Sequence, residues 1–191
     1  MHLIRNFITH LQSTEKLIKQ LNSANLDDAL SALEVLKERQ VLHDGTLRNI
    51  DISGANLSTA TFAKSALERV NLSNAQLINT YFYEAQLHQA CLMGADLTGA
   101  NLRAAQMQGV SLVGAILKNA NLARVDLSQA DLQQANLQQA NLWQTNLTGA
   151  NLEGANLTGA TVTGVVCNQH TILPDGSLWS ADVDWSAYTH Q

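Results

Sequence analysis

Charge is scarce in this chain. Asp, Glu, Lys and Arg make up 14% of its 191 residues, well under the usual quarter. With 46% of residues apolar, that scarcity excludes a disordered chain, which stays open because it has too little to bury. A net charge of -5 excludes a basic nucleic-acid binder. Two cysteines are too few for a disulfide scaffold. Aromatics are 5%, and Pro174 is the single proline. No apolar run reaches the ~18 residues of a spanning helix. Arg5, Asn6 and His10 interrupt the start before an apolar signal region can form, so the expected compartment is the cytoplasm. The length suits one ordinary domain.

What is present is a repeat. From Gly45 to Gly164 the chain reads in fives, as in Gly54-Ala55-Asn56-Leu57-Ser58, and each pentad centre carries a number ending in 2 or 7. Of 24 centres, 19 are Leu, and the others are Ile52, Phe62, Phe82, Met107 and Val162. Two residues before each centre stands a mostly small residue, Ala in 16 of the 24. A period of five fits neither a 3.6-residue helix nor a two-residue strand. It fits a chain that turns a corner every pentad, with the centre and the residue two before it inward and the other three outward.

Tandem Ala-(Asn/Asp)-Leu, as at Ala95-Asp96-Leu97, Ala100-Asn101-Leu102 and Ala150-Asn151-Leu152, resembles the pentapeptide-repeat family. The resemblance implies an all-β solenoid, a right-handed quadrilateral parallel β-helix with four pentads per coil. Residues 45–164 would then make six coils, a rod ~29 Å long at the spacing of parallel strands. Phe62 and Phe82, twenty apart, should stack inside it. The ends of such a rod expose unpaired backbone and core surface and need covering.

The flanks read as those covers. Three regions are expected: a helical cap at 1–44, the β-helix at 45–166 and a capping tail at 167–191. Leu3, Phe7 and Leu11, with Ile4 and Ile8, follow helical spacing, continued by Leu17, Ile18 and Leu21. A second helix is expected from about Leu26 to Arg39, with Asn25 as N-cap and Asp27 and Asp28 in its first turn. Val165 and Cys167 keep the frame for one more pentad, and Pro174-Asp175-Gly176 marks a turn. Trp179, Trp185 and Tyr188 are expected over the last coil, or at a homodimer contact at this end.

No chemistry is legible in the side chains. The six histidines show no metal-ligand spacing. Cys91, one before a centre, should face outward and Cys167, at a centre, inward. Asp51, Asp131 and Glu153 share a face, as the repeat's taste for Asp and Asn would produce. No enzymatic activity, cofactor or metal is expected.

Stacking residues twenty apart divides the surface into panels, and the panel on centres 62, 82, 102, 122, 142 and 162 stands out. Its outward positions include Lys64, Tyr81, Tyr83, Glu84, Arg103, Arg124 and Trp143. Aromatics and arginine are what protein interfaces enrich. Tyr81, Tyr83, Arg103, Arg124 and Trp143 are therefore the candidate protein-binding residues. The plainer reading is a surface cation–π pair between Tyr83 and Arg103. A smaller apolar patch gathers Cys91, Met93 and Val113, with Ile78 and Ile116 on the next panel. The glutamines 129, 133, 134, 138, 139 and 144 read as solvated surface.

The functional expectation is a rigid protein–protein interaction module, monomeric or dimeric through its C-terminal end, with no nucleic-acid ligand. An alternative is a scaffold or assembly factor held at a membrane surface by the N-terminal helix. The resemblance also brings in DNA mimics that bind DNA gyrase. These need a strongly anionic surface, whereas residues 45–164 carry seven acidic and six basic side chains, a net of -1.

Overall fold

The computed structural model describes residues 12–190. The pentad has a complete backbone solution. Between Asn101 and Ala105 all five N–H groups are used. Asn101 donates to Thr80 of the preceding coil at 2.9 Å, and Leu102 and Ala104 donate to Asn121 and Ala123 of the next at 2.9 and 3.0 Å. Ala105 closes a turn onto the Leu102 carbonyl at 2.9 Å. The fifth, on Arg103, donates to the side-chain oxygen of Asn101 at 3.1 Å.

That last bond explains the preference for Asn and Asp before the centre. Every such residue from Asp51 to Asn156 accepts from the backbone N–H two residues on. A short side-chain acceptor can bend back this way.

Parallel bridges join residues twenty apart from Asp51↔Asn71 through to Asn146↔Val166 without a slip. Each bridge is a single residue, because a turn follows two residues later, so no extended strand forms. The coil has four sides, numbered here by their centres: face 1 (47, 67, …), face 2 (52, 72, …), face 3 (57, 77, …) and face 4 (62, 82, …). Leucine centres and the small residues before them fill the interior, and Phe62 and Phe82 stack with centroids 5.4 Å apart.

Every turn puts its third residue at positive φ, a region L residues other than Asn and Asp adopt reluctantly. Gln129, Gln134, Gln139 and Gln144 all occupy this position. Gln134 also lies over Gly154 one coil on, where a Cβ would run into its carboxamide.

Two helices precede the coil, α1 (Thr14–Leu21) and α2 (Leu26–Glu38). Ser13 caps α1, and Asn25 caps α2 through a bond from the Asp28 N–H. Leu17, Leu21, Leu33 and Leu36 belong to the same buried cluster as Leu47, Ile52 and Leu57. Ser23 and Leu42 accept the N–H groups of Asn56 and Ala66 at 3.0 and 2.8 Å, where a preceding coil would otherwise serve. The first pentad is accordingly irregular, since the Ala66 N–H reaches Leu42 and not Gly45, twenty-one before it as in the regular coil. The helical pattern at Leu3–Leu11 lies outside the described residues.

One consequence is visible at Ser65. Buried Thr80 and Thr145 donate their hydroxyls to the Leu57 and Leu122 carbonyls of the preceding coil, at 2.9 and 2.7 Å. Ser65, fully buried in the corresponding place, has no partner for its hydroxyl. Removing an unsatisfied polar atom is favourable. Ser65→Ala should therefore raise the melting temperature, by about 1 kcal/mol of stability, whereas Thr145→Val should lower it. Calorimetry on the pair checks the contrast.

At the far end Val166 holds the frame, but Ile172 pairs with Asn151 twenty-one residues away. One extra residue has entered. Asn168 makes room for it by accepting from the His170 and Gly149 N–H groups, and Thr171 donates its hydroxyl to Leu147 at 2.8 Å. Thr171 and Leu173 then fill the inward positions. Ile172 pairs antiparallel with Leu178. Helix α3 (Ser186–Thr189) follows, and its Thr189 carbonyl accepts the Gly159 N–H at 2.7 Å. Trp185 and Tyr188 pack on the core, and the Tyr188 hydroxyl donates to Asp175 at 3.0 Å. Trp179 instead bonds Thr171 within the hairpin.

Candidate functional site

Face 4 presents its outward side chains in columns that climb one residue per coil. Tyr81 and Trp143 are 39% and 40% exposed, Arg103 and Arg124 are exposed, and Tyr83 is half-buried. Tyr81 and Tyr83 flank the inward Phe82 on one edge and stack with centroids 6.1 Å apart. The neighbouring Glu84 carboxylate pushes the Tyr83 hydroxyl above the ordinary tyrosine value. Glu84 is also paired with Lys64 at 3.6 Å, one coil below.

The arginine over a ring is Arg124, whose guanidinium carbon stands 5.6 Å from the Trp143 ring centre. The anticipated stack of Arg103 on Tyr83 does not form. Arg124 leaves its turn at positive φ, which aims it at the ring of the next coil. Ala123, between Arg103 and Trp143 in the column, is only 4% exposed although it holds an outward position.

Charge is divided unevenly. Lys64, Arg103 and Arg124 against Glu84 leave face 4 at +2, while Asp51, Asp131 and Glu153 leave the opposite face 2 at -3. Face 2 also carries Met93, exposed, with Cys91 and Val113 half-buried beside it. Ile116 on face 3 is exposed and Ile78 half-buried.

Face 1 holds a feature the sequence reading passed over, a shallow groove of about 390 Å³ lined by Arg48, Asn49, Glu68, Arg69, His88 and Gln89. Arg48 pairs with Glu68 at 2.8 Å and Arg69 donates to Gln89 at 2.9 Å. Both pairs are twenty apart, a spacing that could have revealed them.

The two cysteines are free and half-buried. Burial pushes the Cys167 thiol up to about 11, against an opposing hydrogen bond with Thr171. It is therefore protonated at neutral pH. Among the described residues no cluster of three or more His, Cys, Asp and Glu is placed to hold a metal, and no helix is long and apolar enough to cross a membrane.

Several carboxyls are held below their usual range. Asp51 is lowered by bonds from Ser53, Asp175 by bonds from Ser177, and Glu68 by Arg48. At Asp126 burial pushes upward, but bonds from Ser128, Gln108 and Asn146 outweigh it. A lowered folded-state value contributes stability above the unfolded value, ~3.9–4.3, that is lost as pH falls through the folded one. Melting temperature should hold from pH 7 to about 5 and fall below about 4. A rise on acidification would contradict this.

Eight copies of the pentapeptide repeat model match, over residues 42–75, 62–99, 95–134 and 126–164. The chain belongs to the pentapeptide repeat family. Pentapeptide repeat proteins fold as right-handed quadrilateral β-helices. HetL, a pentapeptide repeat protein from Nostoc sp. strain PCC 7120 involved in heterocyst differentiation regulation, is 27% identical over 76% of this chain and 98% of its own, with a TM-score of 0.39. Rfr23 from Cyanothece 51142 is 26% identical over 65% of this chain and 88% of its own, with a TM-score of 0.42. The Nostoc PCC 7120 pentapeptide repeat protein alr5209 is 33% identical over 56% of this chain and 83% of its own, with a TM-score of 0.47. No curated protein matches this pentapeptide repeat chain significantly.

Proposed function

We propose that this pentapeptide repeat protein is a rigid, non-enzymatic protein–protein interaction rod that docks its partner on face 4, in the cytoplasm. The observation that supports the reading most is the concentration of Tyr81, Tyr83, Arg103, Arg124 and Trp143 on one of four faces, at positions where the repeat elsewhere places small polar residues. Residues 1–44 and 167–191 act in this reading as end covers that keep the rod from stacking. The coil supplies stiffness, because the backbone bonds between coils repeat at every pentad.

Outward side chains are dispensable for the core, which separates binding from stability. Interface residues can cost ~2 kcal/mol or more of binding when cut to Ala, while surface changes usually move stability by less than ~0.5 kcal/mol. Tyr83→Ala and Trp143→Ala should therefore leave the melting temperature within a few degrees and sharply reduce partner recovery from the native cell. Gln138→Ala and Thr158→Ala on face 3 should change neither. Intact recovery with the aromatic variants would remove face 4 from the account.

A further inference from the structure

We infer that the partner segment received by face 4 is extended and acidic, with carboxylates on Arg103 and Arg124 and apolar side chains against Tyr83 and Trp143. The inference rests on the reading of face 4 as the docking face. Its starting point is the way this rod pairs its column charges. Arg48 finds Glu68 and Lys64 finds Glu84, each acid twenty residues on. The residues twenty away from Arg103 are Tyr83 and Ala123, and those twenty away from Arg124 are Ala104 and Gln144. Glu84, nineteen before Arg103 and bonded to it through the backbone, is taken by Lys64. No carboxylate lies nineteen or twenty residues from Arg124, and neither guanidinium makes an ion pair. Both remain exposed.

The geometry restricts what can answer them. Arg124 stands over the Trp143 ring, its guanidinium carbon 5.6 Å from the ring centre, and its side chain is exposed, so a ligand can reach the N–H edge of the guanidinium. That edge is the planar fork that grips a carboxylate through two parallel bonds. Tyr83 and Trp143 are three coils apart, ~14 Å, the length of four to five residues of extended chain. A segment laid along the rod can thus place apolar side chains on both rings and acidic ones between them. A nucleic-acid strand fits less well, because two guanidiniums neutralise few phosphates, and the chain's net charge of -5 opposes a polyanion.

The test is selection of random peptides displayed on phage against the immobilised full chain. The result expected is a set of peptides with at least two Asp or Glu residues between apolar ones. Retention should drop more than tenfold with the double variant Arg103→Gln, Arg124→Gln at an unchanged melting temperature. Gln144 already occupies the same turn position as Arg124 at positive φ, so that variant keeps the fold. The double variant Arg103→Glu, Arg124→Glu should select basic peptides instead. Peptides without acidic bias that are nevertheless lost with Tyr83→Ala and Trp143→Ala would overturn the acidic inference and leave face 4 as the docking face. Peptides retained by all these variants would overturn both. Selection of no peptide, or binding of an oligothymidylate in preference to the acidic peptides, would also overturn the inference.

Discussion

Leu97→Asp is expected to leave no folded protein. Leu97 is fully buried at a centre of the third coil, with its backbone bonded to Ile116 above and through the turn to Ala100. Truncating such a leucine alone costs about 2–5 kcal/mol, and a carboxylate in its place adds the cost of an unpaired buried charge. The sum competes with the whole stability of a domain, ~5–15 kcal/mol. A solenoid holds together through neighbouring units, so a mid-rod lesion leaves each half with an uncovered end. Leu97→Met should be tolerated, within about 1.5 kcal/mol, as Met107 already serves as a centre. Circular dichroism melts of the two variants check this. A cooperative, wild-type-like melt for Leu97→Asp would mean the centre points outward.

Phe82→Ala is the next largest effect. The Phe82 ring is buried and stacked on Phe62 with planes only 10° apart. Cutting a buried phenylalanine to alanine costs about 3–5 kcal/mol, of which about 0.5–1.5 belongs to the ring pair. For a chain of this length the melting temperature should fall by on the order of 10 °C. Phe82→Leu should cost much less, because Leu102, Leu122 and Leu142 occupy the same column. A small shift for Phe82→Ala, measured by calorimetry, would show that the rings do not carry that part of the core.

The coil was legible because each pentad position has one backbone duty and a residue type suited to it. Leu97, Ala95 and the Phe62–Phe82 spacing could be placed from the period alone. The role of Asp and Asn was read only as polarity, since the bond from Asn101 to the Arg103 N–H needs a turn geometry that the letters do not display. Gln129, Gln134, Gln139 and Gln144 looked like solvated surface for the same reason, although their backbones take the left-handed corner. The slip after Val166 was hidden because Cys167-Asn168-Gln169-His170 looks like ordinary repeat sequence, an apolar centre followed by polar residues. Asn168 and Thr171 reset the frame through side-chain bonds. On face 4 the column was legible, but which arginine meets which ring was not. Arg103 and Arg124 start from different turn positions, and that offset sends Arg124 to Trp143.

Face 4 as the docking surface is the central claim, and site-specific photocrosslinking tests it most directly. Benzoylphenylalanine would replace Tyr81 on face 4 or Met93 on the opposite face 2, both outward and exposed, so neither change disturbs the core. Irradiation in the native cell should give a discrete adduct to one partner protein from position 81 and none from position 93. An adduct from position 93 alone, or equal adducts from both, would contradict the account.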